Sequence, residues 1–178
     1  MRSAPGPRLA AVGVMLLVSC ASTPDSYPPP VQRKPFAIEA PGPIRHFVFM
    51  KDPGAAAHIL ADINGTVEAG GFRWTGRRPT LRFRLPTTRH ARLAMHFSIH
   101  DDVFESTGPI TVSFSVNGRL LDKVTYDSTG EKRFEKAVDP AWLRTDVDTL
   151  VSAELDKIMV AGDGVRFGLI LLWAGFRD

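Results

Sequence analysis

The chain has 178 residues, 44% of them apolar and 23% charged, with one cysteine and a formal net charge of +3. These proportions suit one soluble domain with its own core, and they exclude a disordered chain, a polytopic membrane protein and a disulfide-stapled scaffold. The small charge excess also excludes a globally basic nucleic-acid binder.

The N-terminus has its own character. Arg2 and Arg8 flank a charged start, and Leu9 to Val18 is apolar except for Gly13. About ten apolar residues are too few to cross a bilayer, which takes roughly 20. A charged start, a short apolar run and small residues after it predict a secretory signal over residues 1–19. Its last residues, Leu17-Val18-Ser19-Cys20, resemble the bacterial lipobox. That resemblance implies cleavage before Cys20, a thioether-linked diacylglycerol on its sulfur and an added N-acyl chain. Ala21 in place of the aspartate that favours inner-membrane retention implies sorting to the outer membrane, facing the periplasm. A plain secretory signal with a coincidental cysteine is the alternative. Removing residues 1–19 also removes Arg2 and Arg8, lowering the net charge to +1. With Cys20 lipidated no thiol remains for a disulfide, so stability has to come from the core.

Residues 20–43 read as a tether. Seven of the 14 prolines lie there, including Pro28-Pro29-Pro30, and proline biases the backbone to a stiff, extended helix of about 3.1 Å per residue, or roughly 70 Å in all. A proline-motif ligand is the alternative use.

From residue 44 to 178 the pattern changes to short period-2 segments. Leu81, Phe83 and Leu85 alternate with Arg82 and Arg84. Leu93, Met95, Phe97 and Ile99 alternate with Ala94, His96, Ser98 and His100. Ile110, Val112, Phe114 and Val116 alternate with Thr111, Ser113 and Ser115. Each predicts a strand with one buried face and one outer face. Val116-Asn117-Gly118-Arg119 predicts a type I′ hairpin, and the irregular return strand Leu120 to Tyr126 predicts a bulge. Asp139-Pro140-Ala141-Trp142-Leu143 predicts a capped helical turn over 139–143. Val147 to Leu155 predicts a further strand. Phe167 to Trp173, apolar on both faces, predicts a central one, with Trp142 and Trp173 in the core. The fold class is all-β, an antiparallel β-sandwich.

With those elements placed, the domain resembles the galactose-binding-like jelly-roll modules that accompany glycosidases and polysaccharide-building enzymes. The residues that carry the likeness are Phe72-Arg73-Trp74-Thr75, the Val116-Asn117-Gly118-Arg119 hairpin, and the ending from Gly164-Val165-Arg166-Phe167-Gly168 through Ala174-Gly175-Phe176. The resemblance implies a jelly-roll-like sandwich and carbohydrate binding. It carries over no binding residue.

Among candidate ligands, Arg73, Arg77, Arg78, Arg82, Arg84, Arg89 and Arg92 stand without an acidic residue between Glu68 and Asp101. Guanidinium forks suit carboxylates and phosphates, so the run fits an anionic envelope polymer or a lipid headgroup. The competing reading is a solvated face neutralised by acidic residues 101–105. Trp74, beside Gly70-Gly71 and Gly76, offers a flat face for a sugar ring, or else caps the core. His96 and His100 lie roughly 13 Å apart on a straight strand, too far to share a metal without a bulge. Asp101, Asp102 and Glu105 offer carboxylates for Ca²⁺ without an EF-hand spacing. Asn64-Gly65-Thr66 reads as a turn. No nucleophile elbow, metalloprotease helix or phosphate loop is present.

The sequence therefore leads to a lipid-anchored, non-enzymatic envelope module without a required cofactor. Its surface would be presented to a glycan or an anionic envelope component. A structural lipoprotein that binds a protein partner is the alternative, and a hydrolase the third reading.

Overall fold

The computed structural model describes residues 42–177. The signal segment 1–19, Cys20 and residues 21–41 of the tether lie outside the described residues. No helix among the described residues is long and apolar enough to cross a membrane.

The alternating segments form strands because each can bury one face. In β5 (Ile110–Val116), Ile110, Val112, Phe114 and Val116 are all fully buried while Thr111, Ser113 and Ser115 are partly exposed. β5 turns into β6 (Arg119–Tyr126) through Asn117 at φ 48° and Gly118 at φ 77°, the left-handed pair that a type I′ hairpin demands. The expected bulge lies in β6. Phe114 faces Asp122 and Ser115 faces Leu120, leaving Leu121 as the extra residue. Asn117 also ties the hairpin to its surroundings. Its Nδ2 donates to the Trp142 carbonyl at 2.7 Å, and its Oδ1 accepts from the Leu150 amide at 2.8 Å.

Nine strands make one antiparallel sheet folded into two layers. The first layer has the order β1 (Phe47–Phe49), β11 (Ile170–Arg177), β4 (Arg92–Ile99) and β7 (Gly130–Ala137). The second has the order β2 (Ile59–Ile63), β3 (Arg73–Phe83), β8 (Thr149–Leu155), β5 and β6. The chain passes repeatedly from one layer to the other, giving the jelly-roll-like sandwich. A small hairpin, β9 (Met159–Val160) with β10 (Arg166–Phe167), forms a separate two-stranded sheet packed on the start of β3.

β3 belongs to both layers. Its start pairs with β11, Trp74 opposite Ile170, and its end pairs with β8, Phe83 opposite Thr149. The core lies between. The Phe114 ring stacks on Phe134 of β7 at 3.6 Å and 9°, and Phe83 meets Phe176 of β11 edge to face at 5.8 Å. Each buried phenyl removed from water contributes about 1.5–3 kcal/mol.

Three short helical pieces complete the described residues. The helical turn expected near 139–143 is a 3₁₀ turn over Pro140–Trp142, with the Asp139 carboxylate accepting the Ala141 amide at 2.9 Å. The acidic residues after β4 begin a helix that periodicity did not show, α1 (Asp101–Thr107). His100 caps it, its Nδ1 accepting the Asp102 amide at 3.3 Å. Asp101 and Asp102 thus sit in a first turn, where the unpaired N–H groups of a helix favour negative charge.

A second 3₁₀ turn, Pro53–His58, brings a buried histidine against β3. His58 is 2% exposed. Its Nδ1 donates to the Arg82 carbonyl at 2.9 Å, leaving Nε2 to accept the Arg45 amide at 3.4 Å. Burial holds its pKa below the ordinary 6.5, helped by the Arg82 and Arg45 charges. The folded state thus binds the proton less well than the unfolded chain, and stability present above pH 6.5 is lost as the pH falls through that value toward the folded pKa. We expect the urea midpoint to drop on acidification below pH 6.5, and His58→Gln to flatten part of that dependence relative to the parent. An unchanged pH profile in the variant would show that His58 does not contribute.

Candidate functional site

The arginine run does not form one surface. Arg73 is 5% exposed. Its Nε donates to the Met50 carbonyl at 3.1 Å, and its Nη1 donates to the carbonyls of Asn64, at 3.1 Å, and Gly65. Burial lowers the guanidinium's pKa from its ordinary value. Arg73 therefore does not belong to an exposed anion-binding set: its donors are spent on the buried Met50 carbonyl and on the carbonyls of the exposed Asn64–Gly65 turn.

Arg82 and Arg84 leave the second layer on its outer side, as the alternation required, but both are engaged. Arg82 Nε donates to the Ala57 carbonyl at 2.8 Å, and its Nη1 lies 3.9 Å from Asp148. Arg84 pairs with Asp148 at 2.7 Å and donates to the Asp146 carbonyl. Arg78 is exposed and 3.7 Å from Glu154, and Arg77 is exposed. The anions that neutralise this face therefore come from residues 146–154, not from the expected 101–105, because those acids lie in α1.

Trp74 stands elsewhere, on the stretch of β3 that pairs with β11. The indole is half-buried. Phe167 meets it edge to face at 5.0 Å and 78°, Phe72 at 6.4 Å and 83°, and the His100 ring lies at 5.7 Å. Three rings thus fix its orientation. Trp74 lines a recess of about 270 Å³ that opens between the end of β2, Gly76 of β3 and β10.

Polar groups converge on this recess. Asp62 holds a left-handed backbone at φ 59°, uncommon for a residue other than glycine. Its Oδ2 accepts the Arg78 amide at 2.7 Å, and its Oδ1 packs so closely on Gly76 that a Cβ there would lie 2.6 Å away. Asn64 donates its backbone N–H to the Trp74 carbonyl at 2.8 Å, and its Oδ1 accepts the Thr66 amide at 3.1 Å. That second bond is the turn expected at Asn64-Gly65-Thr66, and it leaves the side-chain NH₂ of Asn64 available. Exposed Arg166 of β10 supplies a guanidinium. Trp74, Asp62, Asn64 and Arg166 therefore line one open recess of about single-ring size.

The histidines near β4 do not converge. His96 is 7% exposed and bonded to Glu131 at 3.1 Å, whereas His100 caps α1. Among the described residues no three His, Cys, Asp or Glu side chains gather as a metal site.

Trp173 is displaced from the core position that alternation assigned it. A register shift between Leu171 and Trp173 makes Leu172 an extra residue. Leu171, Ala174 and Phe176 then point inward and Trp173 outward, the one-residue flip that a bulge produces. Trp173 covers His96 at 5.4 Å, which is why His96 is buried on what should be a wet outer face. Trp142 is likewise only half-buried, with the Arg119 guanidinium 5.6 Å from its ring.

No protein-family model and no curated protein matches the chain. Among solved structures, an exo-β-1,3-galactanase from Phanerochaete chrysosporium with β-1,3-galactotriose is similar at 12% identity and a TM-score of 0.39. The match covers 76% of this chain and 29% of that one, so this chain spans under a third of that protein's length.

The geometry separates a structural arginine from surface ones. Arg73→Ala strands the buried Met50 carbonyl, frees the Asn64–Gly65 turn and empties a buried site, and is expected to lower the urea-unfolding free energy by about 2–4 kcal/mol. Arg84→Ala, at an exposed pair, is expected to cost less than about 1 kcal/mol. Equal costs in the two variants would contradict the assignment.

Proposed function

We propose that this chain is a lipid-anchored binding module of the bacterial envelope that recognises a glycan at the Trp74 recess. The observation that carries the reading is the shared cavity: an indole held by three neighbouring rings, beside Asp62, Asn64 and Arg166. Pyranose rings present C–H groups on a face and vicinal hydroxyls at the rim. An aromatic face meets the first, and the remaining lone pairs of the Asp62 carboxylate, the Asn64 NH₂ and the Arg166 guanidinium meet the second. Fixing these groups in advance reduces the entropy lost on binding. Arg166 adds a preference for a sugar with a carboxylate or phosphate.

Anchorage rests on the lipobox at Leu17-Val18-Ser19-Cys20. Three acyl chains, at about 0.8 kcal/mol per buried methylene, would hold the protein on a membrane essentially permanently. Ala21 suits the outer membrane, with the tether carrying the sandwich into the periplasm. The binding itself needs neither a cofactor nor a bond-making step.

Two experiments test the reading. Amide NMR of the chain from Cys20 onward, carrying Cys20→Ser, is followed during titration with neutral and acidic oligosaccharides. Shifts are expected to gather at Asn64, Trp74 and Arg166, with Trp74→Ala weakening binding about tenfold. Shifts absent for every saccharide, or gathered elsewhere, would remove the glycan reading and point to a protein partner. For the anchor, bacteria expressing the full chain are fed labelled palmitate. The label and the membrane fractionation are expected to disappear in Cys20→Ser, and an unlabelled parent would overturn anchorage.

A further inference from the structure

The outer face of the first layer carries a second group of rings that the recess does not use. Phe49 of β1 lies opposite Trp173, and Phe47 lies opposite Gly175. The Phe47 ring is 5.2 Å from both Phe49 and Trp173, so the three make a continuous strip. Gly175 permits this approach: a Cβ there would lie 2.5 Å from the Phe47 Cα. Phe49 remains 43% exposed, high for a phenyl on a regular sheet.

Two cations lie on these rings. The Arg177 guanidinium is 4.5 Å from the Trp173 ring centroid and 5.2 Å from that of Phe47, and Lys51 Nζ is 5.8 Å from Phe49. The acidic side chains of this face, Glu131 and Glu135, lie on β7 at the opposite edge, already bonded to His96 and Arg92. Among the described residues the rings of the β1 edge thus carry two cations, with Asp52 beside Lys51 the neighbouring acid.

We propose that this edge docks on an anionic lipid surface. Aromatic rings settle at the depth of lipid headgroups, and basic side chains beside them meet the phosphates. The charge is complementary to such a surface, and the exposed phenyl gains what a soluble polyanion cannot give it. A sugar platform is a poorer fit, because Arg177 and Phe47 already cover Trp173. β1 is also the strand nearest in sequence to Cys20. This last point rests on the proposed anchorage: a domain held within roughly 70 Å of a bilayer needs only a weak contact to stay docked, since the tether raises the local lipid concentration. Docking would give the sandwich a fixed face toward the membrane.

The test uses the chain from Cys20 onward with Cys20→Ser, whose described core draws on residues 48–176, so it does not depend on lipidation. The probes are phosphatidylcholine vesicles with and without phosphatidylglycerol, and a soluble acidic polysaccharide. Binding is expected only to the phosphatidylglycerol vesicles, and salt should weaken it. Lys51→Gln and Arg177→Gln are each expected to reduce it about fivefold, and Phe49→Ser about tenfold, while Trp74→Ala leaves it unchanged. A thermal melt of each variant confirms the fold. No binding to anionic vesicles, or undiminished binding by both Phe49→Ser and Lys51→Gln, would overturn the proposal. Binding to the polysaccharide in place of vesicles would also overturn it and give the face to a glycan.

Discussion

The buried guanidinium of Arg73 is the contact on which both surfaces depend. Desolvating a guanidinium is costly unless its donors are used, and here they hold carbonyls from two distant segments. On one side it holds Met50, whose own amide donates to the Leu172 carbonyl at 2.8 Å. Leu172 is the extra residue of the β11 bulge, so this chain of bonds steadies the kink that turns Trp173 outward. On the other side it holds Asn64 and Gly65, which places the amide of Asn64 at the mouth of the Trp74 recess. One cation thus positions two ring clusters without facing solvent itself.

The second organising constraint is that β3 serves both layers. Between Ala61–Thr80 and Ile63–Thr75 the pairing with β2 slips, and the slack over Gly76 to Pro79 lets the strand leave one layer for the other. Residues close in sequence then work on different surfaces. Trp74 and Arg73 belong to the first layer and its interior. Arg78, Arg82 and Arg84 belong to the outer side of the second, where carboxylates of β8 and the preceding loop meet them. A charge run that looks continuous in the chain is divided in space.

Much of the architecture was legible because it follows from local rules. Alternation in Ile110–Val116, left-handed Asn117-Gly118, and Asp139 before Pro140 each determine their own backbone. The departures all arise from non-local causes. Strict alternation makes Trp173 a core residue, and only the slip at Leu172 overturns it. His96 is buried because a tryptophan from another strand lies across it. Asp101 and Asp102 have the composition of a loop, but a cap from His100 makes them a helix start. Of the recess, Trp74 was recognisable from its glycine-rich setting and Asn64 only as a turn. Asp62 and Arg166 were not recognisable, since β2 and β10 meet β3 only in the folded chain.

The most direct test of two separate surfaces is fluorine NMR of the protein labelled with fluorotryptophan, its resonances assigned by replacing each tryptophan with phenylalanine. A saccharide that binds is predicted to shift Trp74 and leave Trp173 in place, and anionic vesicles to broaden Trp173 while a free saccharide still shifts Trp74. If both ligands move the same resonance, or only Trp142 responds, the assignment of a glycan to the recess and a lipid surface to the β1 edge is contradicted.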